Sequence, residues 1–164
     1  MQKAAPNTVL ILGARGRFGL ATARAFVEAG WRVLGQIRSG AEVPQTTSIE
    51  WLGIDLHDTQ TLLQAAQGTT VVVHALNPAY TNSAWQTQVL PMTEAAIAIT
   101  RALGATLMVP GNVYNFGAAM PAVLREDTPQ RARTVKGQVR IRMEALLQHS
   151  GVRCVVIRAG DFFG

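Results

Sequence analysis

The chain has 164 residues, 48% of them hydrophobic, and a formal net charge of +5, which provides for one substantial core and a single domain. No apolar run approaches the length of a membrane span, and Met1 to Asn7 is too short and polar for a secretory signal, so the cytoplasm is the expected compartment and a membrane is excluded as partner. The basic residues are scattered except between Arg131 and Arg142, where no aromatic side chains interleave, so the charge suits an anionic small molecule and argues against nucleic acid.

In chain order, Thr8 to Leu12 reads as a strand, Phe18 to Ala29 as a helix, Arg32 to Ile37 as a second strand and Ile49 to Leu52 as a short third one. Asp58 is the expected N-cap of a helix running to Gln67. The β-branched run Thr70 to Ala75 has no alternation and predicts a fully buried strand. A long helix from about Thr87 to Leu103 is stopped by Gly104; Ala105 to Val109 is a strand, Val135 to His149 a helix, and Val152 to Ile157 a last strand. Cys154, inside that last run, is expected to be a buried thiol packing as a small hydrophobe, and no His or Cys spacing suggests a metal.

Strands alternating with helices imply an α/β fold, a doubly wound parallel sheet of the Rossmann type with helices on both faces. The two least regular stretches, Asn77 to Trp85 and Gly111 to Pro129, both follow carboxyl ends of strands, the edge at which such sheets bind ligands.

Between the first strand and the first helix lie Gly13, Gly16 and Gly19, three residues apart. Gly13 suits a tight turn, Gly16 lets the main chain approach a pyrophosphate without an intervening Cβ, and Gly19 lets helix and strand pack closely. The helix N-terminus would receive the phosphates, with Arg15, Arg17 and Phe18 in the same loop. This arrangement predicts a dinucleotide-binding site.

With these glycines, Asp55-Leu56 after the third strand, Val73-His74-Ala75 closing the fourth, Val113-Tyr114 after the fifth and Arg158 to Gly164 after the sixth, the whole chain resembles the cofactor-binding part of an extended or atypical short-chain dehydrogenase/reductase of the NAD(P)-dependent epimerase/dehydratase group. The resemblance implies a dinucleotide-binding domain over residues 1–164, a further substrate-binding region beyond it, a small-molecule substrate and, as the assembly it allows, a homodimer. It also implies that Asp55 meets the adenine amino group with Leu56 beside the ring, that Ala75 and Leu76 run along the cofactor ribose, and that Asp161-Phe162-Phe163 lines the substrate pocket.

An NAD-specific site usually ends its second strand on an acid that binds the ribose 2′-hydroxyl. Here the chain reads Gly35-Gln-Ile-Arg38-Ser-Gly40, with no acid, so NADP is the expected cofactor. Arg38 would hold a 2′-phosphate, with Arg15 closing on the same group or stacking on adenine.

The residues that carry catalysis in most short-chain dehydrogenases, a Ser or Thr and a Tyr-Lys pair, are replaced by Pro110 at the first position and by Lys136 and Arg140 on the helix. Lys136 to Glu144 also resembles the helix of the isoflavone reductase and phenylpropene synthase relatives, which carry a catalytic Lys at this place and an Arg four residues later. Lys136 is therefore the expected acid or base and a contact of the nicotinamide ribose. Arg140 would orient a substrate or cofactor group, since guanidinium does not deprotonate. Tyr114 and Asn112, facing the nicotinamide, are further candidates to bind or polarise substrate, and His74 reads as a satisfied core histidine. The alternative to an enzyme is a non-catalytic dinucleotide-binding redox sensor, a reading favoured by the missing Tyr.

Overall fold

The computed structural model describes residues 7–45 and 48–160. Six parallel strands form one sheet in the order β3-β2-β1-β4-β5-β6. They are β1 (Thr8–Leu12), β2 (Arg32–Ile37), β3 (Glu50–Gly53), β4 (Thr69–His74), β5 (Thr106–Gly111) and β6 (Cys154–Arg158). The helices are α1 (Arg17–Glu28), α2 (Thr59–Ala65), α3 (Asn82–Leu103) and α4 (Val135–His149). The order reverses between β1 and β4, and the loops leaving those two strands diverge there to open a crevice at the carboxyl edge.

Alternation along β1 divides the core. Leu10 and Leu12 pack with α2, α3 and α4 through residues such as Leu62, Ile99 and Met143, whereas Val9 and Ile11 pack on the α1 side with Ala23 and Val33. All four β1 residues are fully buried, and each aliphatic side chain so placed contributes about 1.5–3 kcal/mol. A strand at the centre of a sheet covered on both faces can therefore carry no polar side chain pointing either way without a dedicated partner.

Most boundaries agree with the sequence reading to within two residues, and three features differ. The fourth strand, expected to be fully buried, is so only at Val72, Val73 and His74 of the expected run, with Thr70 exposed and Val71 half-buried at its start. Helix α3 begins at Asn82 rather than Thr87, because Thr81 caps it by accepting from the Ala84 amide at 3.2 Å and because Trp85 and Val89 gain burial by being helical. This shortens the loop after β4 and puts Trp85 on a rigid element. The apolar run of β6 lies at the sheet edge, where Val155 and Ile157 are 44% and 54% exposed. Cys154 points to the α4 side, where it meets Leu147 and Ser150, and is half-buried rather than buried because an open cavity lies between β6 and α4. Partial burial still pushes its thiol up from the ordinary value, against the Ser150 hydroxyl, which lowers it. No helix among the described residues is long and apolar enough to cross a membrane.

Candidate nucleotide-binding and active site

The loop from β1 into α1 is built around Gly13, whose φ of +78° is open to glycine and strained for other residues. The Gly16 amide donates back to the Gly13 carbonyl at 3.1 Å, closing the turn. A Cβ on Gly19 would lie 2.5 Å from the Gly13 carbonyl oxygen, so glycine is required there for the helix to sit against the loop. Gly16 differs: its backbone is extended, and a Cβ would find only the Gly13 oxygen, at 3.4 Å, within 4 Å. Its outer side is open space, as a surface that receives a phosphate must be. Helix α1 starts from Gly16 with no side-chain cap and no acid in its first turn, so its end keeps its positive character.

Gln36 holds this loop from the neighbouring strand. Buried in an otherwise apolar run of β2, it accepts from the Gly13 amide at 3.1 Å and donates to the carbonyls of Ile37 and Ile54 at 3.0 and 2.7 Å. The sequence reading passed over Gln36; its signal is a lone amide in a strand whose neighbours are aliphatic. From the other side, Leu76 lies against Gly13, with its backbone 3.2 Å from where a Cβ would stand.

A cavity of about 620 Å³ opens beside the loop. It brings together Arg17 and Phe18 from the start of α1, Ala75 and Leu76 after β4, and Tyr114 and Arg140 from beyond β5 and on α4. Lys136 stands on the helical turn before Arg140; its Nζ lies 4.1 Å from the centroid of Tyr80, a cavity residue, and donates to Asn82 Oδ1 at 3.2 Å. The Tyr80 hydroxyl is 2.9 Å from that of Tyr114. Tyr80, Asn82 and Trp85 are site residues the sequence reading did not single out, although the first flank of the signal was the irregular stretch they occupy.

The remaining expected cofactor contacts lie outside this cavity, along the β1-β2-β3 half of the crevice. Arg38 is exposed just beyond β2. Arg15 is exposed and 3.7 Å from Glu42, an ion pair worth little in solvent. Asp55 is exposed after β3 and one of its oxygens already accepts from the His57 amide at 2.8 Å; Leu56 packs against the core next to it. Asp161-Phe162-Phe163 lies outside the described residues.

Beneath the cavity, His74 is only half satisfied. Thr93 Oγ1 donates its single proton to the Val89 carbonyl at 2.8 Å, so at 3.2 Å from His74 Nε2 it acts as acceptor and the ring proton sits on Nε2. Nδ1 is then an unprotonated acceptor, buried without a partner. Burial, assisted by the Arg140 charge, pushes His74 down to about 4, so the ring is neutral at physiological pH. Arg140 is itself held below its ordinary value, chiefly by burial.

Arg158 fixes the loop that carries Tyr114. Its guanidinium pairs with both oxygens of Glu144 at 2.9 and 2.8 Å and donates to the Asn112 carbonyl at 2.5 Å and to Asn115 Oδ1 at 3.2 Å. Asn112 Oδ1 accepts from the Tyr114 amide at 3.0 Å, so Asn112 shapes the turn, and Tyr114, 37% exposed, stands at the cavity rim rather than in the core. Pro110, set by the sequence reading at the place of the hydroxyl residue, lines the cavity.

The sheet order, the glycine loop at the switch point and the open surface over Gly16 define a nicotinamide-dinucleotide-binding domain of the Rossmann class. Residues 13–163 match the model of the NAD(P)H-binding family, and the chain belongs to that family. Among solved structures, the Bordetella bronchiseptica enzyme WbmG in complex with NAD and UDP is 19% identical with a TM-score of 0.73, over 92% of this chain and 52% of that one. UDP-glucose 4-epimerase from Brucella ovis in complex with NAD is 16% identical with a TM-score of 0.76, over 94% and 52%. The Bordetella bronchiseptica enzyme WbmH in complex with NAD+ is 17% identical with a TM-score of 0.76, over 94% and 56%. At these identities the likeness establishes the fold, and the chain spans about half the length of these structures. No curated protein matches by sequence.

Proposed function

We propose that the protein is an NADP-dependent oxidoreductase or epimerase/dehydratase-type enzyme of the short-chain dehydrogenase/reductase superfamily, acting on a small organic substrate. The observation that carries this reading is the cavity itself: one side is formed by Arg17 and Phe18, the first residues of α1 after the glycine loop, and the other by Tyr114 and Arg140, with Lys136 over the ring of the lining residue Tyr80. Protein groups able to hold a dinucleotide and groups able to handle a substrate thus share one space.

In this reading Gly13, Gly16, Arg17, Phe18 and Gly19 receive the pyrophosphate. Arg15 and Arg38 receive the adenosine end with its 2′-phosphate, Asp55 and Leu56 the adenine, and Ala75 and Leu76 the ribose. When bound, the cofactor supplies or accepts hydride at nicotinamide C4. The chain's own contribution is to hold and move a proton. Lys136 Nζ is the acid or base, fixed by Asn82 and by the face of Tyr80. Tyr114, hydrogen-bonded to Tyr80, holds the substrate oxygen, and Arg140 orients an anionic group. The absence of a hydroxyl residue at Pro110 removes the usual carbonyl polariser, which leaves the Tyr114–Tyr80 pair as the hydroxyl source on that wall.

The test is NADPH oxidation followed by absorbance with the protein and a panel of carbonyl and enone substrates. Sustained consumption dependent on a substrate is expected. Tight NADPH binding with no turnover across the panel would favour a redox-sensing role instead.

A further inference from the structure

Arg140 is a half-buried guanidinium that forms no ion pair with a described residue, the Glu144 charge favouring it only from beyond salt-bridge distance. Its Nη1 is satisfied by Met143 Sδ at 3.2 Å, a thioether and thus a weak acceptor, and its Nε is buried with no hydrogen-bond partner. The nearest acid along its helix, Glu144, is taken by both nitrogens of Arg158 and by Gln130 Nε2 at 2.6 Å. Among the described residues no acid lines the cavity, whereas Arg17 and Arg24 line it together with Arg140. A guanidinium removed from water and left without a paired carboxylate costs stability, and an anion entering a cavity whose described charged side chains are all cationic offsets that cost.

The walls restrict what that anion is attached to. The Arg140 guanidinium carbon lies 5.1 Å from the Trp85 ring centroid; Tyr80 meets Trp85 edge-on at 5.8 Å, and Tyr114 lies 6.3 Å from Trp85. A flat or apolar body would rest against the exposed rings of Tyr80 and Tyr114, and the planar guanidinium of Arg140 matches a carboxylate.

We propose that the substrate of this site is a small organic carboxylate with an aromatic or otherwise apolar body, its carboxylate held by Arg140. The proposal rests on the reading of the cavity as the substrate end of the cofactor site.

Calorimetry on the protein saturated with NADP, saturation being checked for each variant, separates the two. The probes are benzoate, its neutral isostere benzamide, and inorganic phosphate. Benzoate is expected to bind at least about tenfold more tightly than either of the others, a difference of about 1.4 kcal/mol. Arg140→Lys should keep part of that preference and Arg140→Met should abolish it. Arg140→Met without ligand should also melt above the wild type, since it removes an unpaired charge from a poorly solvated place, so that loss of benzoate binding is not mistaken for loss of fold. Equal binding of benzoate and benzamide, phosphate binding as well as benzoate, or full preference in Arg140→Met would each overturn the proposal. Failure of NADP to bind would instead overturn the cofactor reading, and the benzoate and benzamide comparison on the cofactor-free protein would still decide the carboxylate.

Discussion

The Gly13 amide donates to the side-chain oxygen of Gln36 across 3.1 Å, so the first glycine of the nucleotide loop is held by the adjacent strand as well as by its own turn. Replacing that amide by an apolar side chain of similar size strands the Gly13 N–H and the carbonyls of Ile37 and Ile54. Gln36→Leu is therefore expected to lower stability by about 1–3 kcal/mol for the first group left unsatisfied, and to weaken NADPH binding because the loop loses its anchor. Urea unfolding and an NADPH titration measure the two effects; unchanged values in both would show that the turn alone fixes the loop.

Gly16 and Gly19 separate cofactor binding from folding. A Cβ at Gly16 meets one atom at 3.4 Å, whereas a Cβ at Gly19 meets Gly13 O at 2.5 Å and Ala14 Cα at 2.9 Å, both backbone. Gly16→Val should keep a native circular-dichroism spectrum and melting transition and lose dinucleotide binding, the branched side chain filling the space over the loop. Gly19→Val should lose both. A folded Gly16→Val that still binds NADPH would place the pyrophosphate elsewhere.

What was legible in the sequence was local. The glycine loop is contiguous, and β1, β2 and α4 are bounded by strong signals, so Thr8–Leu12, Arg32–Ile37 and Val135–His149 are recovered as read. The start of α3 was not, because Asn82 and Ser83 are poor helix formers whose cost is overridden by burying Trp85. The site contacts that matter most join residues far apart in sequence: Lys136 with Tyr80 and Asn82, Tyr114 with Tyr80, and Arg158 with Glu144 and Asn112. A residue's own neighbours carry no sign of such pairings. Nor did they show that His74, read as a satisfied core residue, keeps one ring nitrogen without a partner.

That histidine makes stability depend on pH in a defined window. Its pKa falls from 6.5 in the unfolded chain to about 4 in the folded one, through burial first and the Arg140 charge second. Between those values the unfolded chain holds the proton and the folded chain does not. The stability conferred by the neutral ring is thus fully present above pH 6.5 and is lost as pH falls toward 4, by about 3 kcal/mol in all. Urea midpoints of the wild type and His74→Gln at several pH values check this, since the carboxylates common to both cancel in the difference. Parallel curves would mean that the ring binds its proton equally well in the folded and the unfolded chain.

Arg38 and the missing acid after β2 set an expectation for cofactor choice. The guanidinium is exposed at the end of β2, free of any ion pair with a described residue, and a charge-assisted contact with a 2′-phosphate should contribute roughly 1.5–3 kcal/mol. NADPH is expected to bind more tightly than NADH, and Arg38→Ala to remove most of the difference. Calorimetry with both cofactors measures it; equal affinities in the wild type, or a preference for NADH unaltered by the substitution, would sink the assignment.

Lys136 is the residue on which the proposed chemistry turns. Its amine is positioned by Asn82 at 3.2 Å and by the Tyr80 face at 4.1 Å, both on elements other than its own helix, which fixes the nitrogen at the cavity rim. Lys136→Met keeps the length of the side chain and removes the proton. With a substrate that supports turnover, it is expected to lower the rate by ~10²-fold or more while NADPH affinity stays within a few-fold. A parallel fall in rate and affinity would make Lys136 a ribose ligand. Unchanged turnover in Lys136→Met together with its loss in Tyr114→Phe would move the proton to the hydroxyl that Tyr114 shares with Tyr80, and the acid would then belong to the loop after β5 rather than to α4.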